Sequence, residues 1–243
     1  MTQFNYHIPT KVLFGAGKLN ELATEPLFGK RALIVISSGT SMRKNGYLQR
    51  VEAALDTQGI GHVVFDKILP NPVKSHVMEG ASLAIAEKCD FVIGLGGGSS
   101  IDSAKSIAIM AKNPGDYWDY ICGGSGKGKP VANGALPIVA ITTTAGTGTE
   151  ADPWTVITKE ETNEKIGFGI PQTFPSLSIV DPELMLSIPR HLTVFQAFDA
   201  LFHAAEGVIA TIATPISDIY ALKSISLINK SLPAAFKDGS DLA

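Results

Sequence analysis

Residues Phe91 to Lys105 constrain this chain more than any other stretch. Phe91 to Leu95 (Phe-Val-Ile-Gly-Leu) is apolar, bounded by glycine and too short for a helix, which predicts a buried strand. Gly96, Gly97 and Gly98 then let the backbone turn sharply and approach a ligand closely, because no Cβ stands in the way. Ser99 and Ser100 are good capping residues for a helix predicted from Ile101 to about Lys112. Strand, turn and helix start would aim free N–H groups and a positive dipole end at one point, the arrangement that holds a phosphate. An ordinary tight turn is the competing reading, since Gly94-x-Gly96-x-x-Ser99 lacks the last glycine of the dinucleotide fingerprint. Asp102 fits either case, as an acid suited to the helix dipole or as a partner for a ribose or an amide.

The flanking sequence repeats the alternation. Arg31–Ile36, His62–Phe65 and Pro137–Ile141 read as further strands, and Tyr47–Gln58 and Lys74–Lys88 carry helical periodicity between them. Phe4–Gly15 reads as a strand pair around Pro9, and Lys18–Thr24 as a short helix. Trp154–Thr158 and Lys165–Gly169 suggest a hairpin, and Leu177–Val180 a last short strand. Alternation of this kind implies an α/β fold with a mostly parallel sheet, whose ligands bind beyond the carboxyl ends of the strands. Three small-residue loops fall at such ends: Ser37–Ser41, Gly96–Ser99 and Thr142–Glu150.

After Asp181-Pro182 the texture turns helical, through Val194–Ala213 and Ile216–Phe236, so a boundary is expected near residue 186. That divides the chain into an α/β unit, 1–185, and a helical unit, 186–243. Asp199 and His203 stand four apart on one helical face. They are either a hydrogen-bonded helical pair or two ligands of a borderline divalent cation, which would need more ligands than these. His7, His62 and His76 belong to the first unit and are expected at its surface or sheet edges.

Composition excludes several classes. A formal net charge of −3 gives no electrostatic footing for nucleic acid or an anionic membrane, and two cysteines cannot form a disulfide framework. No apolar run approaches the roughly 20 residues that span a bilayer. The opening Met-Thr-Gln-Phe-Asn lacks the features of a signal peptide, so a cytoplasmic protein is expected.

In order along the chain stand Phe14-Gly15, Pro70-Asn71-Pro72, Gly96-Gly97-Gly98-Ser99-x-x-Asp102, Thr143-Thr144-Ala145-Gly146-Thr147-Gly148-Thr149-Glu150, Asp181-Pro182 and Asp199-Ala200-Leu201-x-His203-Ala204-x-Glu206. Together they resemble the iron-dependent (group III) alcohol dehydrogenases, relatives of butanol dehydrogenase and lactaldehyde reductase. The resemblance implies a Rossmann-like dinucleotide-binding domain followed by an all-helical metal domain of the dehydroquinate synthase-like fold, with the active site between them. It implies that Gly97, Gly98 and Ser99 hold the pyrophosphate, and that Asn71, Asp102, Thr143, Thr144, Thr147, Thr149 and Lys165 surround the cofactor. Asp199 and His203 match two ligands of Fe²⁺ or Zn²⁺, which would polarise a small aldehyde or alcohol during hydride transfer. No side-chain acid or base is assigned. A homodimer through the Phe4–Phe14 stretch is also implied.

The family completes its metal site with two later histidines, whereas no histidine follows His203 here. The expectation is a truncated member, active as a dehydrogenase or, alternatively, a nucleotide-binding fragment with little turnover. Cofactor choice turns on the loop after the first sheet strand. Ser38, Gly39 and Ser41 offer small donors without an acid, and Arg43 and Lys44 follow, which predicts NADP(H) over NAD(H).

Overall fold

The structure, a computed structural model, describes residues 3–242. Its centre is a six-stranded sheet in which every pairing is parallel. The chain enters through β1 (Lys11–Phe14), a 3-10 turn (Lys18–Ala23), β2 (Arg31–Ser37), the one-turn α1 (Ser41–Lys44) and α2 (Tyr47–Thr57). It continues through β3 (Gly61–Ile68), α3 (Lys74–Ala86), β4 (Phe91–Gly96), α4 (Gly98–Met110) and β5 (Ile138–Thr142). An antiparallel hairpin, β6 (Trp154–Lys159) with β7 (Glu164–Gly169), precedes β8 (Leu177–Val180), and α5 (Arg190–Ile209) and α6 (Pro215–Lys237) follow.

Spatial order is β1-β8-β5-β4-β2-β3. The chain moves from β2 outward to β3, then returns to the other side of β2 to place β4. The crevice between β2 and β4 is therefore the topological switch point, where open parallel sheets bind ligands at their carboxyl ends. Period-two alternation divides the core. Leu33, Val35 and Val92 face α3 and α4, while Ala32, Ile34, Ile36, Phe91, Ile93 and Leu95 face α2 and the first 3-10 turn. Both faces are covered, which explains why these strands read as unbroken apolar runs.

Two expectations change. Only Lys11–Phe14 of the proposed amino-terminal strand pair is a strand; residues 3–10 form none. The strand is an edge with a neighbour only on the β8 side, and Pro9 lacks the N–H that a ladder needs. Helix α4 starts at Gly98 rather than Ile101, with Gly97 at its cap. Ser99 and Ser100 are thus inside the helix, and Asp102 lies beyond the first turn, so dipole compensation does not account for it.

Candidate functional site

Beyond the carboxyl ends of the strands, a cleft of about 440 Å³ is bounded by the start of α4, the 143–150 loop, the β6–β7 hairpin and α5. Nine of the expected residues line it: Asn71, Gly98, Ser99, Asp102, Thr147, Thr149, Lys165, Asp199 and His203. Gly97, Thr143 and Thr144 do not line it. Ser38 and Gly39 follow β2 and Ser41 opens α1, none of them lining the cleft, and Ser38 N–H is bonded to the Ile68 carbonyl at 2.9 Å.

The three glycines have separate reasons. Gly96 has φ +144°, which a side chain rarely adopts. Gly97 and Gly98 have ordinary backbone angles, but a Cβ on Gly97 would come within 3.0 Å of Thr144 and one on Gly98 within 2.8 Å of Thr147. Their lack of side chains lets the threonine loop close onto the helix start. The first recorded bonds of α4 run from Ser100 and Ile101 N–H to the Gly97 carbonyl, and the cap makes no side-chain bond. The Gly98 and Ser99 N–H groups therefore have no acceptor among the described residues, and both residues line the cleft. Such a helix start suits an anionic phosphate, so a dinucleotide fits here.

Deeper along α4, Asp102 accepts from Thr149 Oγ1 at 2.7 Å and from Val156 N–H at 2.9 Å. Burial raises its pKa, while these two donors lower it. Lys105, one turn on and fully buried, donates to Thr149 Oγ1 (2.7 Å) and to the Asp152 (2.8 Å) and Trp154 (2.9 Å) carbonyls. Asp152 Oδ1 lies 3.1 Å from the same ammonium. Burial lowers the lysine pKa, and the charges of Asp152 and Asp102 act against that. The hairpin is thereby anchored to the cradle helix. On the opposite wall, Lys165 Nζ donates to Asn71 Oδ1 at 2.8 Å, and Asn71 takes the left-handed φ of +57° that asparagine tolerates.

Asp199 and His203 project from α5 into the same cleft, Oδ2 and Nδ1 3.9 Å apart. His203 Nδ1 also faces the Gly146 carbonyl at 3.4 Å. That carbonyl can only accept, so Nδ1 is the donor in this contact. Helix α5 is seated on the threonine loop by Gln196 Oε1, which accepts from Ala145 N–H at 3.0 Å. A Cβ on Gly146 would meet Asp199 Oδ2 at 2.9 Å, so this close approach also needs glycine. Among the described residues no group of three His, Cys, Asp or Glu side chains comes together. One carboxylate and one imidazole make half of a tetrahedral set, and the described residues do not by themselves complete a metal site.

The sequence reading missed Lys105, Asp152, Trp154 and Val156. Lys105 had a signal: it falls four residues after Ile101 and three before Ala108, inside the apolar stripe of its helix. A lysine there is either a packing error or a buried cation with acceptors. Trp154 and Val156 contribute through a hairpin whose docking no local pattern reveals.

Residues 9–182 match the family described as iron-containing alcohol dehydrogenase, and residues 193–243 match its C-terminal family. The chain is 38% identical over 240 residues to the NAD-dependent methanol dehydrogenase of Bacillus methanolicus, covering 98% of this chain and 61% of that protein. Its structure superposes with a TM-score of 0.90 on the NADH-dependent butanol dehydrogenase A of Thermotoga maritima, at 35% identity, covering 99% of this chain and 60% of the other. For the sulfoacetaldehyde reductase of Bifidobacterium kashiwanohense in complex with NAD⁺ the TM-score is 0.89 at 32% identity, with 98% and 61% covered. The chain thus spans about three fifths of the length of these relatives.

Proposed function

The chain belongs to the iron-containing alcohol dehydrogenase family, and on that footing we propose that it binds a nicotinamide dinucleotide in this cleft and serves hydride transfer with a small alcohol or aldehyde. One observation carries the reading: Gly98 and Ser99 at the start of α4, whose N–H groups have no acceptor among the described residues, the Lys165–Asn71 pair and the Asp199–His203 pair line a single cleft. The nicotinamide, when bound, supplies or accepts the hydride. Gly98 and Ser99 N–H groups hold the pyrophosphate, backed by Gly97 and the Thr143–Thr147 loop. Asn71, Asp102, Thr149 and Lys165 orient the rest of the cofactor. Asp199 and His203 are two donors for the family's iron, or for zinc, with the remaining ligands supplied from outside the described residues. We divide the chain at residue 185 into a cofactor unit and a helical unit, in keeping with the two family matches. Reduced nicotinamide is an intracellular reagent and both cysteines are free thiols, which supports a cytoplasmic setting. A homodimer is the proposed assembly, which light scattering would test.

The cofactor preference is for NADP(H), on the acid-free loop after β2 with Lys44 beside it. Arg43 is held by Asp66 at 2.7 Å, but both side chains are about half exposed. Such a pair is worth roughly 0.2–1 kcal/mol, so a 2′-phosphate can compete for the arginine. The names of the compared proteins weigh toward NAD(H). Titration of both reduced cofactors decides: tighter NADPH supports the preference, equal or tighter NADH removes it, and Ser38→Asp should shift the balance toward NADH.

A second reading, nucleotide binding without turnover, is favoured by the half-complete ligand set. The test follows oxidation of NADH and NADPH at 340 nm with a short aldehyde, after anaerobic loading with Fe²⁺ or Zn²⁺. Metal-dependent turnover lost in His203→Ala supports the dehydrogenase. Saturable binding without turnover supports the second reading. Absence of binding overturns both.

A further inference from the structure

The wall of the cleft that carries Lys165 is a two-stranded hairpin, a unit that is marginal on its own and takes its place from what it is tied to. Successive side chains of a strand point to opposite faces. On β7, Ile166 and Phe168 pack on the core and Glu164 shares their side. Lys165 projects from the other side, level with Thr158 on β6, and there it reaches Asn71.

Glu164 is seated in a socket. Its Oε1 accepts from Ser125 N–H at 2.6 Å, and its Oε2 accepts from the Thr162 hydroxyl at 2.6 Å and from the Ser125 hydroxyl. Lys159 Nζ donates to the same serine oxygen at 2.6 Å, which leaves the one hydroxyl proton for the carboxylate. The bonds from Ser125 and Thr162 hold the Glu164 pKa down at about 2, so it is a carboxylate at neutral pH. Gly124 makes room for it. Its φ is +51°, and a Cβ there would collide with Glu164 Oε1 and come within 2.8 Å of Ile166 Cδ1. The socket in turn stands on the core: Gly126 N–H closes the turn on the Gly123 carbonyl at 2.9 Å, and Gly128 N–H bonds the carbonyl of buried Ile121 at 3.0 Å.

The other strand is tied separately. Thr158 N–H bonds the Pro72 carbonyl at 2.8 Å, and Glu160 accepts from Ser75 N–H at 3.1 Å. Strand β6 is thus fixed beside Asn71 and Pro72 without Glu164, and what the socket adds is the placement of β7, the strand that carries Lys165. We propose that Glu164 is a positioning residue: locked in the 123–126 socket, it holds β7 so that Lys165 is presented to Asn71 and to the bound dinucleotide. This rests on the dinucleotide reading of the cleft. A lysine loses much rotamer freedom when it is ordered, and fixing its root before the cofactor arrives lowers that cost. The glycine-rich segment between α4 and β5 therefore acts on the cleft through one carboxylate.

The experiment measures dissociation constants for NADH with the 243-residue chain, Glu164→Ala, Lys165→Met and the double variant. Circular dichroism and thermal melting establish that each is folded. Glu164→Ala is expected to bind NADH about fivefold more weakly, the effect of one hydrogen bond, and the double variant to match Lys165→Met within about twofold, because the clamp acts only through the lysine. The direction is itself informative. Deleting a negative charge near an anionic ligand would by itself tighten binding, so weakening marks lost placement. Losses that multiply in the double variant would make Glu164 merely structural and overturn the proposal, as would unchanged or tighter NADH binding in Glu164→Ala or in Lys165→Met. If Glu164→Ala does not fold, Ser125→Ala, with and without Lys165→Met, decides by the same comparison. Failure of the unaltered chain to bind NADH would overturn the dinucleotide reading and this inference with it; binding by the unaltered chain with multiplied losses overturns the inference alone.

Discussion

Gly94→Ala tests how tightly the sheet and the cradle helix depend on each other. Gly94 is central in the sheet, paired with Val35 on one side and Ala140 on the other, so β4 cannot yield. Its missing side chain points at α4. An added Cβ would lie 2.9 Å from Ile101 Cα, 3.0 Å from Ala104 Cβ and 3.3 Å from Ile101 Cγ1. Carbon pairs settle at about 3.5–4.0 Å, so the helix must retreat by roughly half an ångström or more. Overpacking on this scale costs about 1–3 kcal/mol. At roughly 2–4 °C per kcal/mol for a chain of this size, the melting temperature should fall by about 2–12 °C. The retreat also moves the Gly98 and Ser99 N–H groups away from the threonine loop, so NADH affinity should drop severalfold. Gly59→Ala is the control. Its φ is +66° with nothing within 4 Å of the added atom, so only backbone strain of about 1–2 kcal/mol applies and cofactor affinity stays unchanged. Differential scanning fluorimetry and NADH titration measure both. A Gly94→Ala protein that melts within about 1 °C of the parent would refute the packing argument.

Asp181 is buried and accepts from Gly17 (3.2 Å), Leu19 (3.0 Å) and Glu183 (3.0 Å) N–H groups, joining the first 3-10 turn to the end of β8. Asp181→Ala orphans all three and should cost about 3 kcal/mol or more in urea unfolding, with Asp181→Asn recovering part. Burial pushes the Cys89 thiol up to about 11, whereas Cys122 is exposed. A thiol reagent at pH 8 should therefore modify Cys122 quickly and Cys89 only on unfolding; equal rates would contradict this. Burial likewise pushes Tyr117 up to about 12, against bonds from Ser106 and Thr155 that lower it. The folded state then holds the phenol proton more tightly than the unfolded chain does. Stability from this group is complete below pH 10 and falls by about 1.4 kcal/mol per pH unit between 10 and 12. The urea midpoint of Tyr117→Phe should lack that component, so its difference from the parent should change across the window.

Much of the α/β unit was legible because its strands are short, β-branched and buried on both faces. Leu177–Val180 coincides with β8, and Arg31–Ile36 falls one residue short of β2. Helix starts were less legible. Capping residues at 99 and 100 suggested a start at Ile101, but the turn is made by Gly96 and the helix begins as soon as the backbone permits, at Gly98. Pro189 similarly starts α5 four residues before the expected Val194, because its carbonyl already accepts from Leu192 and Thr193. The residues of the candidate cleft that the sequence singles out are those notable in their own type and spacing, such as Asp199 with His203. Lys105 and Asp152 act through contacts made across the hairpin, and spacing along the chain does not encode those.

Asp199 and His203 show how a helical spacing can place two donors together without completing a site for an ion. Asp199 and His203 share a face and a cleft, but their side chains are 45% and 53% exposed, and α5 has no buried residue among those described. Phe195, Phe198 and Phe202 on that helix are exposed as well. A divalent ion held by two wet donors keeps most of its water, and water competes with each ligand it might gain. Ligand-linked stabilisation grows as RT ln(1 + [L]/Kd), so an ion at a concentration below its dissociation constant adds under about 0.4 kcal/mol. For this chain that is a rise of under about 2 °C in melting temperature. Adding Zn²⁺ or Fe²⁺ at 50 µM, or removing metal with a chelator, should accordingly leave the melt unchanged within that margin. A rise of several degrees that His203→Ala abolishes would mean that the described donors are joined by others when the ion binds, and that the cleft closes into a site tighter than its two ligands imply.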